Sequence, residues 1–164
     1  MIEPDTVADR ASVDTGFGRW QSTGVSGDWI RLVALAGLCL DALTTWIVLG
    51  APGYRELNPL INGLWDGHPL LVVGYFGGFG LAVVASTCRH GRLSTAVSTY
   101  VVVVMGVFGG LNNLSLFAFG SPAPIDLVTA AVGLSGGAVI QSVIPACGLL
   151  TAAGVVRLRH GPLP

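Results

Sequence analysis

From Pro69 to Cys88, and again from Thr95 to Phe119, the chain carries no charged side chain. Wound as a helix at about 1.5 Å per residue, either run reaches across the roughly 30 Å hydrocarbon core of a bilayer. Trp29–Gly50 is similar, with Asp41 as the single charge in its interior, and so is Ile125–Val156, which holds only Asp126 near its start. In lipid the backbone must bond to itself, so only helices and closed barrels cross it, and uninterrupted apolar runs select helices over the alternation of a barrel strand. This outweighs the strand propensity of Val101 to Val104. The predicted fold is an all-α integral membrane protein, a four-helix transmembrane bundle.

The charge that the runs lack is concentrated elsewhere. Charged residues make up 10% of the chain, against about 25% in a soluble domain. Residues 1–28 carry Glu3, Asp5, Asp9 and Asp14 with little apolar periodicity, and are expected to form a disordered, flexible tail. They precede the first apolar run with an acidic lead and no small-residue cleavage site, so a secretory signal is not expected. Asp14-Thr15-Gly16 matches an aspartic-protease signature by chance, since that chemistry needs two carboxylates in a folded domain. Residues 29–157 form the predicted membrane domain and 158–164 a short C-terminal tail. The last apolar run is too long for one upright span. Ser135-Gly136-Gly137 and Pro145 offer breaks, giving either a kinked helix or a short outer piece followed by a span from about Gly137.

All eight basic residues are arginine. With four spans, Arg10, Arg19, Arg31, Arg89, Arg92, Arg157 and Arg159 share one side and Arg55 stands alone on the other. Cytoplasmic loops retain basic residues, so a cell-membrane protein with both termini cytoplasmic is expected. No basic cluster marks a nucleic-acid partner; the expected partner is the lipid bilayer. Gly74 with Gly78, Gly106 with Gly110 and Gly133 with Gly137 are spaced for close helix approach, either within the bundle or toward a second copy or another membrane protein. Cys39, Cys88 and Cys147 fall in separate apolar runs and read as buried free thiols, with neither a disulfide framework nor a metal motif.

The residues that stand out are polar ones in apolar company. An intramembrane carboxylate costs at least about 2.5 kcal/mol and is retained for a reason. Asp41, Thr44 and Thr45 share one helical face. The following turn holds Glu56, Asn58 and Pro59; Asn58 is suited to cap a short helix opened by Pro59, and His68 to cap the one opened by Pro69. Glu56 reads as a solvated partner of Arg55, and Glu56, Asp66 and His68 lack metal-ligand spacing. Asn112 and Asn113 need partners in the third span. Counted from the outer helix ends, they and Asp41 lie at similar depths, so a polar pocket is expected there with the turn from Glu56 to Asn58 as its roof. Asn113-Leu114-Ser115 is a sequon buried in the membrane and therefore not an acceptor. Gln141-Ser142 counts as nearer the cytoplasmic half.

Asp41 with Thr44-Thr45, a glycine-containing turn, and then Glu56-Leu57-Asn58-Pro59-Leu60 resembles the small archaeal and bacterial membrane proteins grouped as the domain of unknown function numbered 5658. The likeness covers residues 29–119. It implies that Asp41, Glu56, Asn58, Pro59 and Asn112 or Asn113 are the matching positions, and it brings no activity with it.

With no recognised catalytic motif, the expected role is a non-enzymatic one, a scaffold or partner subunit of the membrane. The alternative is a small transporter or channel component using Asp41. An intramembrane aspartyl protease would need a second carboxylate level with Asp41, and Asp126 stands too near the outer end. Neither a cofactor nor a metal is expected.

Overall fold

The computed structural model describes residues 25–52, 56–88 and 91–161, with the side chains of residues 25–28 and 87 set aside. The predicted tail lies outside these residues as far as position 24, and so do Arg55 and Arg89. Every regular element among the described residues is helical: α1 (Val25–Gly50), α2 (Pro59–Gly67), α3 (Pro69–Thr87), α4 (Arg92–Phe119), α5 (Ala123–Val132) and α6 (Gly136–His160). Helices α1, α3, α4 and α6 are long and apolar enough to cross a membrane, and α2 and α5 are short connectors. The chain is thus an all-α, four-helix bundle of membrane-spanning length.

Local sequence explains most boundaries. Asn58 is extended and its Oδ1 accepts from Leu60 N at 3.0 Å, with Pro59 in the first turn, so α2 starts there. His68 does the same for α3, its Nδ1 accepting from Leu70 N at 3.2 Å ahead of Pro69. Proline at this position forfeits only an amide that would be unbonded anyway. Gly120 and Gly133 end α4 and α5 with φ of 71° and 68°, a left-handed conformation that side chains disfavour. Ser135 then caps α6 through Ala138 N.

Several expectations are corrected here. α1 begins at Val25 rather than at Trp29, and α4 at Arg92 rather than Thr95. Of the two forms expected for the last apolar run, the structure takes the short piece followed by a span, α5 and then α6; the correction is at the far end, where α6 runs on through Arg157, Arg159 and His160. Cationic side chains suit a helix C-terminus, where the backbone presents unpaired carbonyls, so helix persists into the predicted tail. Gly133 ends one helix and Gly137 opens the next, so these two do not share a face.

The α1–α4 crossing organises the bundle. A Cβ on Gly37 would stand 2.7 Å from Gly106 Cα, so the two backbones touch. At Gly110 an added Cβ would press on Leu40 at 3.0 Å, and at Gly148 on Val104 and Tyr100, which is where α6 leans on α4. Nothing lies within 4 Å of a Cβ on Gly74 or Gly78, which face outward. Ala34, Leu38, Val72, Phe76, Val83, Val101 and Met105 form the main core, with Ile61 from α2. Around it Leu43, Ile47, Leu70, Leu81, Leu149 and Leu150 are exposed. Exposure of large apolar side chains on every long helix is unfavourable in water and neutral in lipid, where helices associate by packing rather than by the hydrophobic effect. The same lack of inward drive accounts for the cysteines: Cys39 and Cys88 are exposed and Cys147 half-buried, rather than all buried.

Candidate functional site

A lipid-facing carboxylate in α1 would be costly, and Asp41 instead points inward, 6% exposed. Its Oδ1 accepts from Thr45 Oγ1 at 3.2 Å, one turn on, and from Asn113 Nδ2 of α4 at 3.3 Å. Asn113 Nδ2 also lies 3.2 Å from Thr44 Oγ1 and 3.0 Å from Thr45 Oγ1. One amide with two hydrogens therefore serves three acceptors on α1, which positions both helices while leaving Asp41 Oδ2 outside these bonds. Thr44 Oγ1 completes its bonding within α1, donating to Leu40 O at 2.8 Å. Gly109, one turn before Asn113, makes room for the carboxylate, because a Cβ there would overlap Asp41 Oδ1, Cγ and Oδ2.

The two asparagines divide the work. Asn113 turns to α1, whereas Asn112 Oδ1 accepts from Ile125 N of α5 at 3.3 Å and ties that short helix over the bundle end. Ser115 reinforces the tie, accepting from Ala123 N at 3.1 Å and donating to Ser121 O at 2.9 Å. Asp126 is exposed and accepts from Ser121 Oγ at 2.6 Å, away from Asp41.

Glu56 is not the solvated residue its neighbour Arg55 suggested. It is half-buried, and its Oε1 accepts from Asn58 N at 3.0 Å. Asn62 Nδ2 donates to its backbone carbonyl and so pins the turn to α2. Among the described residues Glu56 Oε2 is buried with no hydrogen-bond partner. Burial pushes the Glu56 carboxyl above its ordinary range, against the opposing pull of the Asn58 and Leu57 amides.

These groups border one cavity of about 380 Å³, set between α1, α3, α4 and α6 and roofed by the Glu56 turn and α2. Asp41, Thr45, Glu56, Asn58, Asn112 and Asn113 all reach it; Thr44 supports them from behind. Aromatic rings complete the wall, with Tyr75, Phe76 and Phe79 from α3 and Tyr100 and Phe108 from α4. Tyr75 meets Phe76 and Phe79 edge-on, with ring centroids 5.3 and 5.2 Å apart. The aromatic wall and Gly109 were missed in the sequence. Tyr75, Phe76 and Phe79 share a helical face, but without knowing the bundle's inner side that face reads as lipid-facing as readily as cavity-facing.

Two π-helical stretches flank the cavity, Val102–Leu111 in α4 and Val139–Val143 in α6. Such stretches widen the helix and often occur where side chains are re-aimed for function. The first presents Val104, Phe108 and Gly109 to the cavity, and the second Ile140 and Gln141. Gln141 accordingly stands near the start of α6, beside the cavity and at the end of the helix away from Arg157, rather than in the half nearer the C-terminus. A count from Ile125 misplaces it because α5 takes the first part of that run.

At the opposite end Arg31 Nε donates to Ser94 Oγ at 2.9 Å, Arg92 Nη2 donates to His160 O at 3.1 Å, and Thr95 Oγ1 lies 3.1 Å from His160 Nε2. Among the described residues no three His, Cys, Asp or Glu side chains gather where they could hold a metal ion. No family model, curated protein or solved structure matches the chain.

Proposed function

We propose that this chain is a multi-pass, non-enzymatic protein of the cell membrane whose cavity at Asp41 binds a small solute, as part of a transporter or channel. What carries the reading is the position of Asp41: a carboxylate within a membrane-spanning helix, held on one oxygen by Thr45 and Asn113 and opening with Glu56 onto a cavity of about 380 Å³. Cavities of this size lined by apolar rings with a few converging polar groups are the usual form of a ligand site. Kinship with the family numbered 5658 is part of the proposal, supported by the Asp41 and Glu56-Leu57-Asn58-Pro59 pattern. So is the placement of both termini in the cytoplasm, supported by the arginine asymmetry.

The scaffold or partner-subunit reading has its own support, because the Asp41–Asn113 bonds also serve to hold α1 on α4. The two readings separate on Asp41→Asn, which keeps a hydrogen-bonding group and removes the acid. In detergent-purified protein screened against small cations, anions and neutral solutes by thermal unfolding, a binding site predicts a solute whose stabilisation is lost in Asp41→Asn. A bundle-holding role predicts that no solute stabilises the wild type and that the variant melts close to it.

A further inference from the structure

The cavity has an unusual balance of charge. Asp41 and Glu56 both border it, and no arginine, lysine or histidine among the described residues does. Among the described residues Glu56 Oε2 is buried without a hydrogen-bond partner, and Asp41 Oδ2 takes none of the bonds that fix Oδ1. Leaving a buried carboxylate oxygen unpaired is expensive unless a donor arrives from elsewhere. The donor has to fit the rest of the wall, which is aromatic: Tyr75, Phe76 and Phe79 on one side, Tyr100 and Phe108 on another.

A hard metal ion fits this wall poorly, since calcium or magnesium asks for six or more oxygens and most of this lining is hydrocarbon. An anion meets two acids. A neutral apolar molecule fills the space and leaves Glu56 Oε2 unpaired. An ammonium group on an apolar body meets every part of the wall, because its N–H groups or positive charge answer the carboxylates while ring faces attract cations.

We infer that the cavity takes an organic ammonium cation, with its charged end toward Glu56 Oε2 and Asp41 and its apolar body against Tyr75, Phe79, Tyr100 and Phe108. The inference rests on the reading of the cavity as a solute site and names the solute's chemistry. Glu56 selects charge at the mouth under the α2 roof. Asp41, fixed through Asn113, presents its second oxygen from the floor.

The test uses the full chain in lipid nanodiscs and two probes of nearly equal shape, 2-phenylethylammonium and neutral 2-phenylethanol, titrated by calorimetry. The expected result is saturable binding of the ammonium, weakened about tenfold or more in Glu56→Gln, as befits a lost charged hydrogen bond. Glu56→Gln keeps the acceptor for Asn58 N, and its unfolding midpoint and monodispersity report whether it is folded. Phe79→Leu is a second variant that leaves the acids intact and is expected to weaken the ammonium about threefold or more through the lost ring face. Equal binding of both probes, insensitive to Glu56→Gln, overturns the cation inference and leaves the solute-site reading standing. Failure of both probes, with another solute bound in an Asp41-dependent way, does the same. If the wild type binds neither probe and no solute in the wider screen, both readings fall.

Discussion

The Asp41 carboxylate rests against the backbone of Gly109, so closely that a Cβ at position 109 would overlap all three of its terminal atoms. The cluster is thus a three-part fit in which Thr45 and Asn113 hold Oδ1 and a missing side chain on α4 supplies the room. Gly109→Ala is expected to push Asp41 off Asn113 and destabilise the protein by about 1–3 kcal/mol, the usual range for overpacking. Combined with Asp41→Ala, the same alanine should cost much less, because the overlapping atoms are gone. Thermal unfolding of the four proteins as a double-mutant cycle measures the coupling; additive costs would show that the contact is not the cause.

Asn112 and Asn113, adjacent in sequence, are expected to respond differently. Asn113→Ala removes the amide shared by Asp41, Thr44 and Thr45, and is expected to lower stability by about 2 kcal/mol and to abolish solute binding, since a buried acceptor loses its donor. Asn112→Ala removes one bond to Ile125 N, a helix-capping loss of about 1 kcal/mol. Its effect should appear as faster hydrogen exchange at α5, with solute binding weakened less than in Asn113→Ala because the Asp41 bonds remain. Exchange rates that rise equally in both variants would contradict this division.

Glu56 makes stability depend on pH with a fixed sign. Burial raises its folded-state pKa above the ordinary 4.5, so the folded protein holds the proton more tightly than the unfolded chain. The contribution is fully present below pH 4.5 and is lost as pH rises through the elevated folded-state value. Unfolding midpoints of wild type should therefore fall relative to Glu56→Gln as pH climbs through that window, with the two curves parallel below it. A wild type that gains stability over Glu56→Gln in that window would show that Glu56 is ionised favourably in the folded state.

How much of this was readable in advance follows from what lipid does to a sequence. Long apolar runs without barrel-strand alternation read as helices there, so the four long helices are written in Trp29–Gly50, Pro69–Cys88, Thr95–Phe119 and the run from Ile125. Asp41 and the asparagine pair stand out for the same reason, and helical rise alone sets them level. Other features depend on which face of each helix turns inward, and lipid erases that signal because the outer face is as apolar as the core. Tyr75, Phe79 and Phe108 could not be placed on a wall for this reason. The buried hydroxyl stripe of Ser94, Thr95, Ser98 and Thr99 on α4 was likewise missed. The burial of Glu56 was hidden by its neighbour in sequence, and the π-helical stretches have no simple residue signature.

The end-to-end arrangement gives the last prediction. Arg92 on α4 reaches His160 at the end of α6, and Arg31 near the start of α1 reaches Ser94, so the turn after α3 and both outer ends of the chain's helical region share one end of the bundle. Glu56 and Ser121 belong to connections at the opposite end, beside the cavity. The proposed orientation puts the arginine-bearing end inward, because basic residues are retained in the cytoplasm. Cys88 is exposed in the first of these turns, and in a background lacking Cys39 and Cys147 it serves as a native reporter. An impermeant thiol reagent added to intact cells is expected to spare Cys88 and a Leu158→Cys variant, and to label Leu57→Cys and Ser121→Cys, each made in a background that also lacks Cys88. In inside-out vesicles the pattern should reverse. Outside labelling at 88 and 158 together would invert the orientation while preserving the bundle, whereas labelling of only one of the two from outside would break the four-span arrangement, because the Arg92–His160 contact requires both on one side.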